Sequence, residues 1–365
     1  MLRLPITLLL LVSAALPGET RTRNVILVTA DGLRWQDLFS GIDPVLMKEK
    51  AAGMARATAL RERLWRESPE ARRAELMPFF WTTLAARGVA LGNLRRGSSV
   101  AVTNAYRVSY PGYSEILTGR AQDDAIRNND AIRNPTPTVL EFLRAKLGLG
   151  KSQVALFASW SVFDFIGESQ PGTITINAGY RETGASDRAR ELSALQFEAW
   201  TPWDEVRHDY VTLELALDYL RREKPRVLHI ALGETDDWAH DRRYDRVLTS
   251  IQYFDSALRR IWEFMESSPD YRGQTSLVVT SDHGRGSTLA DWNGHGDKVK
   301  GAEQIWVAVA GPDTLAQGEA ANSSALHQRD VAPTIVELLG IDYRDYRGVA
   351  GHPIPQALAA SAGRR

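Results

Sequence analysis

The 365 residues predict an α/β protein: a mostly parallel central sheet with helices on both faces, carrying inserted cap segments. Two observations lead there. Short apolar runs such as NVILVTA at 24–30, RVLHIAL at 226–232 and SLVVT at 276–280 lack the alternation of a half-solvated strand, so each must be covered on both faces. Segments with helical apolar spacing stand between them, and strand and helix take turns along the chain.

In chain order, residues 24–30 read as a buried strand feeding an Asp31-Gly32 turn. Residues 42–75, rich in Ala, Arg and Glu with the spacing of a surface helix or two, read as an insertion. A helix is expected over 77–86 and a strand over 101–108, stopped by Ser109-Tyr110-Pro111-Gly112. A helix over 136–147 and a strand over 154–158 follow. Periodicity weakens over 160–210, where Gly and Trp recur, and 150–210 reads as a substrate-side elaboration. Then come a helix over 211–222, a strand over 226–232, a long helix over 244–267, strands over 276–280 and 305–310, and a helix over 332–339 with Pro333 in its first turn. With no internal repeat or low-complexity linker, residues 19–358 read as one elaborated catalytic domain ahead of a tail at 359–365.

The 44 Lys plus Arg against 45 Asp plus Glu leave no basic surplus of the kind a nucleic-acid surface needs. With no Cys, the chain has no disulfide, thiolate metal site or Cys nucleophile, so any metal must sit on His and carboxylates. The N-terminus carries Arg3, an apolar run over 4–12 and the small residues Ser13, Ala14 and Ala15, the pattern of a secretory signal peptide over 1–18. The run falls short of the roughly 20 residues of a membrane span. The expectation is export, to the periplasm or the medium, without stable membrane insertion.

Three apolar runs end alike: at Asp31, at Asp236 and at Asp282-His283. Ligands of open α/β sheets bind beyond the carboxyl ends of the strands, so these residues should converge. One such Asp is ordinarily a turn former or helix cap; three together point to a site. Asp236 and His240 are four residues apart, one helical turn, with Asp237 a competitor for Asp236. His295 lies between two glycines that let the backbone approach closely. Carboxylates with imidazoles are a ligand set of hydrolytic zinc. Ser109 is placed at a helix N-terminus, where backbone amides favour a developing anion, and it needs a base or a metal to ionise. His208, His229, His327 and His352 read as structural or exposed. Trp160 and Trp238 could wall a pocket as well as pack a core.

These motifs, in this order, resemble the alkaline-phosphatase superfamily: Asp31-Gly32, Ser109-Tyr110-Pro111 closed by Leu117-Thr118-Gly119, Asp236 to His240, Asp282-His283-Gly284 and His295. The turn is most similar to that of the nucleotide pyrophosphatase/phosphodiesterase branch, where a Thr usually stands at the place of Ser109. The resemblance implies two zinc ions, one held by Asp236, His240 and His295, the other by Asp31, Asp282 and His283 with Ser109. It implies that Ser109 forms a phosphoseryl intermediate, and that Asn129, or else Asn128, donates to a nonbridging oxygen. Arg127 and Arg120 follow the nucleophile and would favour monoesters if they point inward. Sulfatases of the superfamily usually carry an Arg where Tyr113 stands, which argues against that activity. The substrate implied is a small phosphate ester or nucleotide-like molecule, most of all a diester; a phosphomonoesterase, or a phosphotransferase or mutase, is the alternative, and a sulfatase or non-catalytic metal-binding protein comes last.

Overall fold

The computed structural model describes residues 20–358, so the signal-peptide reading of 1–18 and the tail at 359–365 lie outside the described residues. The strands, in chain order, are β1 (Asn24–Ala30), β2 (Gly88–Leu91), β3 (Val100–Ala101), β4 (Val154–Ala158), β5 (Thr175–Ala178), β6 (Val227–Leu232), β7 (Thr275–Thr280), β8 (Gln304–Ile305), β9 (Val307–Ala310), β10 (Gly318–Glu319) and β11 (Leu326–His327). Eight of them form the central sheet in the order β10-β2-β9-β7-β1-β6-β4-β5, and β11, β3 and β8 form a small second sheet. In the central sheet only the pairings of β9, with β2 and β7, are antiparallel. The helices are α1 (Trp35–Ser40), α2 (Thr58–Leu64), α3 (Pro69–Leu76), α4 (Ala85–Arg87), α5 (Ser109–Thr118), α6 (Val139–Lys146), α7 (Phe163–Ile166), α8 (Asp187–Glu198), α9 (Asp209–Glu223), α10 (Glu234–His240), α11 (Tyr244–Ser267) and α12 (Val331–Leu338).

The pleat splits each central strand between two cores. Ile26, Val28 and Ala30 pack with α9 and α11 on one face, and Val25 and Leu27 with α5, α6 and α12 on the other. This is why 24–30 is continuously apolar. Register then places the site. Thr29 lies opposite Thr280 and Ala30 opposite Leu232, so β1, β6 and β7 end at one level and the acidic residues after them emerge together.

Some expected elements change. The strand expected over 101–108 ends at Ala101, because the buried Glu115 carboxylate takes the Thr103 and Asn104 N–H groups that a ladder would need. The helix expected over 77–86 widens to π turns over Phe80–Leu84. The strand expected over 305–310 is broken at Trp306, one part in each sheet. The 42–75 insertion holds α2, α3 and three short 3-10 turns. Within 150–210 the expected strand over 154–158 is β4, and the rest of the segment adds the edge strand β5 with α7 and α8.

Candidate metal centre

The turn after β1 sets Asp31 at the mouth of the sheet, its N–H donating to the Leu232 carbonyl of β6 at 2.9 Å and its carbonyl accepting from the Thr235 hydroxyl. Gly32 follows at φ 57° and donates its N–H to Asp282 Oδ1 at 2.9 Å. Beyond β6, α10 lies across the same edge and puts Asp236 and His240 on one face, with His240 Nε2 2.9 Å from Asp236 Oδ2. Beyond β7 come Asp282 and His283, both fully buried. His283 Nδ1 lies 3.0 Å from the Gly284 carbonyl, a contact that only a protonated Nδ1 satisfies. Its Nε2 therefore turns to the carboxylates: 3.3 Å from Asp31 Oδ1, 3.5 Å from Asp282 Oδ2 and 3.6 Å from Asp236 Oδ1. His295 is held in the same way. Arg107, in the left-handed region at φ 54°, offers a carbonyl that accepts from Gly296 N–H and from His295 Nδ1 at 3.2 Å. His295 Nε2 then faces His240 Nε2 at 3.0 Å, and its ring stacks on His283 at 3.9 Å between centroids.

Ser109 opens α5, and its hydroxyl lies 3.5 Å from Asp31 Oδ1 and 3.4 Å from His283 Nε2. Gly112 makes this seat possible: a Cβ there would drive into the Asp282 carbonyl, so α5 rests directly on the end of β7. Asn129 accepts the Tyr110 N–H at 2.9 Å through Oδ1, which ties its amide to the residue after Ser109. Asn128 is engaged locally, bonding Asp130 through both amide atoms.

Two groups of side chains can each hold an ion, Asp236 with His240 and His295, and Asp31 with Asp236 and His283. The first is the triad expected from the sequence; the second contains Asp236 where Asp282 was expected. Asp237 enters neither group. The donor chemistry fits cations well. Asp282 Oδ2 is buried without a hydrogen-bond partner, an orphan that a cation would satisfy. Both His283 and His295 have Nδ1 committed to a carbonyl and Nε2 turned inward, as in metal-binding imidazoles whose outer nitrogen is fixed by a hydrogen bond. The groups also shift one another's protonation. Burial, then the charge of Asp31, push the Asp282 carboxyl well above the usual range. Burial alone would lower His283, but Asp282 and Asp31 outweigh it and raise the imidazole to about 9. Burial and then His283 lower both His240 and His295.

The remaining sequence candidates sit elsewhere. Arg127 is exposed and folds back on the Asp123 and Asp124 carbonyls, and Arg120 donates to Thr136 at 2.6 Å. Neither reaches inward in this structure. Trp238, two residues on from Asp236, is turned about 200° round the helix from it. It packs against Trp203 at 4.7 Å and on the core, so core packing accounts for it. Trp160 follows β4 and reaches Glu205 with its indole N–H at 3.4 Å. His229 is buried with Nε2 3.0 Å from the Thr29 hydroxyl, His208 pairs with Glu234 at 2.9 Å, His327 lies 3.9 Å from Asp330, and His352 meets the Tyr343 hydroxyl at 3.2 Å.

Sequence reasoning missed Arg285. Its buried guanidinium grips the Asp236 carboxylate and donates to the Gly32, Asp236 and Asn293 carbonyls. The available signal was an Arg two residues past His283, at the end of an apolar strand beside acidic neighbours, but in a chain so rich in Arg it passes for surface charge.

The family model described as the metalloenzyme superfamily matches residues 207–343, the stretch that carries Asp236, His240, Asp282, His283, Arg285 and His295. Among solved structures, a putative sulfatase from Bacteroides thetaiotaomicron is similar at TM-score 0.60 and 14% identity, covering 94% of this chain and 76% of that one. The phosphonate monoester hydrolase of Silicibacter pomeroyi is similar at TM-score 0.56 and 14% identity, covering 93% and 77%. A lipoteichoic acid synthase of Listeria monocytogenes is similar at TM-score 0.55 and 11% identity, covering 94% and 76%. At such identities the likeness is one of fold. No curated protein matches the chain.

Proposed function

We propose that this chain, whose residues 207–343 match the metalloenzyme superfamily model and whose fold is alkaline-phosphatase-like, belongs to that superfamily, hydrolyses phosphate esters through a phosphoseryl intermediate and prefers diesters to monoesters. The observation that carries the reading is the place of Ser109: first residue of α5, its hydroxyl within 3.5 Å of Asp31 and His283, beside two candidate ligand groups. Asp236, His240 and His295 would hold one zinc ion and Asp31, Asp282 and His283 another. Such ions supply Lewis acidity that lowers the pKa of a hydroxyl or water and offsets charge on the phosphoryl group.

The chain's own residues do the rest. Ser109 Oγ bonds to phosphorus as the ester oxygen departs, and water later cleaves the phosphoseryl bond. The Asn129 amide nitrogen donates to a nonbridging oxygen, since the Tyr110 N–H is taken by Asn129 Oδ1 and the Gly112 N–H by the Val108 carbonyl. The diester preference follows from where the cations are spent. Arg107 pairs with Glu303, Arg120 with Thr136, Arg127 with main-chain carbonyls and Arg285 with Asp236. A second charge on the phosphoryl group would find no guanidinium among these. Tyr113, buried under the site where sulfatases carry Arg, counts against sulfate esters. The export reading of 1–18 puts the substrate outside the cytoplasm. Turnover of bis-p-nitrophenyl phosphate, p-nitrophenyl phosphate and p-nitrophenyl sulfate, with and without chelator, tests this. The diester should turn over fastest and chelator should stop it; chelator-insensitive or absent turnover sinks the hydrolase, and a sulfate preference sinks the substrate class.

A further inference from the structure

The two candidate ligand groups share Asp236, so the donor set alone leaves open which ion that carboxylate serves. We propose that Arg285 is the positioning residue that decides it, occupying Asp236 Oδ1 so that only Oδ2 remains, for the ion at His240 and His295. The inference rests on the two-ion reading above. Asp236 Oδ1 lies 3.6 Å from His283 Nε2, within reach of the Asp31 group, while Oδ2 lies 2.9 Å from His240 Nε2. The guanidinium takes Oδ1 and also donates to the Asp236 carbonyl and the Gly32 carbonyl, both at 3.2 Å, and to the Asn293 carbonyl. Those acceptors belong to the turn after β1, to α10 and to the loop before His295, three segments that bear ligands of both groups.

The pair has a built site. Gly32 is in the left-handed region, and a Cβ on it would lie 2.7 Å from Asp236 Oδ1 and 2.8 Å from Arg285 Nε, so only glycine leaves room. Desolvating a guanidinium this deeply costs more than an apolar side chain of the same size would, so orientation accounts for Arg285 better than stability does. With Asp236 withdrawn from it, the Asp31 and His283 pair is completed by Asp282, whose buried Oδ2 accepts no hydrogen bond and lies 3.5 Å from His283 Nε2.

Cobalt(II), a paramagnetic stand-in for zinc, tests the assignment in the full-length enzyme. The wild type should bind two cobalt ions per chain by metal analysis and show the EPR signal of two independent high-spin ions. Arg285→Gln can still donate to carbonyls but releases Oδ1, letting Asp236 bridge. It should lose most of its EPR intensity to exchange coupling at unchanged cobalt content, and Arg285→Lys should restore the signal. Circular dichroism checks folding, and Arg285→Met replaces the Gln variant if that variant fails to fold. An uncoupled signal in a variant that holds two ions overturns the role of Arg285 and leaves the two-ion reading standing. Loss of an ion in place of coupling makes Arg285 merely structural and overturns it too. A wild type that binds fewer than two ions removes both readings.

Discussion

Ser109, Asn129 and Asn128 separate three fates for polar side chains close in sequence. The Ser109 hydroxyl faces Asp31 and His283, the Asn129 carbonyl is tied to Tyr110 N–H, and Asn128 closes a local turn with Asp130. Ser109→Ala should therefore lower turnover of the best p-nitrophenyl ester by at least about a thousandfold, since the step through a covalent intermediate is lost. Metal analysis should find the metal content of the variant unchanged; substantial residual turnover would remove Ser109 from its role. Asn129→Ala, losing one donor to the developing anion, should lower kcat by about 10²–10³-fold, while Asn128→Ala leaves it within about twofold. Steady-state kinetics showing the reverse order would transfer the role to Asn128. The sequence could narrow this choice only to neighbours, because which amide is locally engaged depends on the turn that Asp130 completes.

Two elements hold the site in place. Helix α5 sits on β7 through Gly112, so Gly112→Ala should force the helix off the Asp282 backbone and destabilise the fold by about 1–3 kcal/mol, with kcat falling as Ser109 moves. Denaturant unfolding with an unchanged midpoint would contradict the seating. The start of α10 is tied to the loop before α9 by His208 and Glu234. The hydrogen bond to Glu234 raises the His208 pKa above its ordinary value. A histidine raised on folding stabilises fully below its unfolded pKa of about 6.5, and that contribution is lost as pH climbs through the raised value. Because the imidazole is about one-third exposed, screening keeps the gain below about 1 kcal/mol. Thermal midpoints of wild type and His208→Gln should thus differ most below the unfolded pKa of about 6.5 and converge as pH climbs through the raised value; a gap that widens with pH would reverse the assignment. Helical spacing showed in advance that Asp236 and His240 share a face. Nothing in the periodicity around residue 103 could show that Glu115, on the helix that follows, would turn back and take its N–H groups.

Across the whole molecule the carboxyl ends of β1, β6 and β7 bring Asp31, Asp236, Asp282 and His283 together with His295, and burial keeps their charges unscreened. Bound cations should therefore be part of the fold's stability. At a free zinc concentration a hundredfold above Kd, each ion adds about 2.7 kcal/mol to the free energy of unfolding. Calorimetry should show Tm falling on chelation and returning when zinc is restored; a Tm indifferent to both would deny the centre its cations. By itself the sequence determined the α/β class, the exclusion of thiolate chemistry and the set of strand-end carboxylates and imidazoles. Strand burial, residue type and helical spacing are local properties that survive in one dimension. Tertiary structure alone decided that Asp236 lies between both ligand groups and that Arg285 grips it. It also decided that Asp282 keeps a buried oxygen without a hydrogen bond and that Trp238 turns to the core. Those outcomes depend on the register of β1 against β6 and β7 and on the room left at Gly32, relations between residues some 200 positions apart or more that no local pattern encodes.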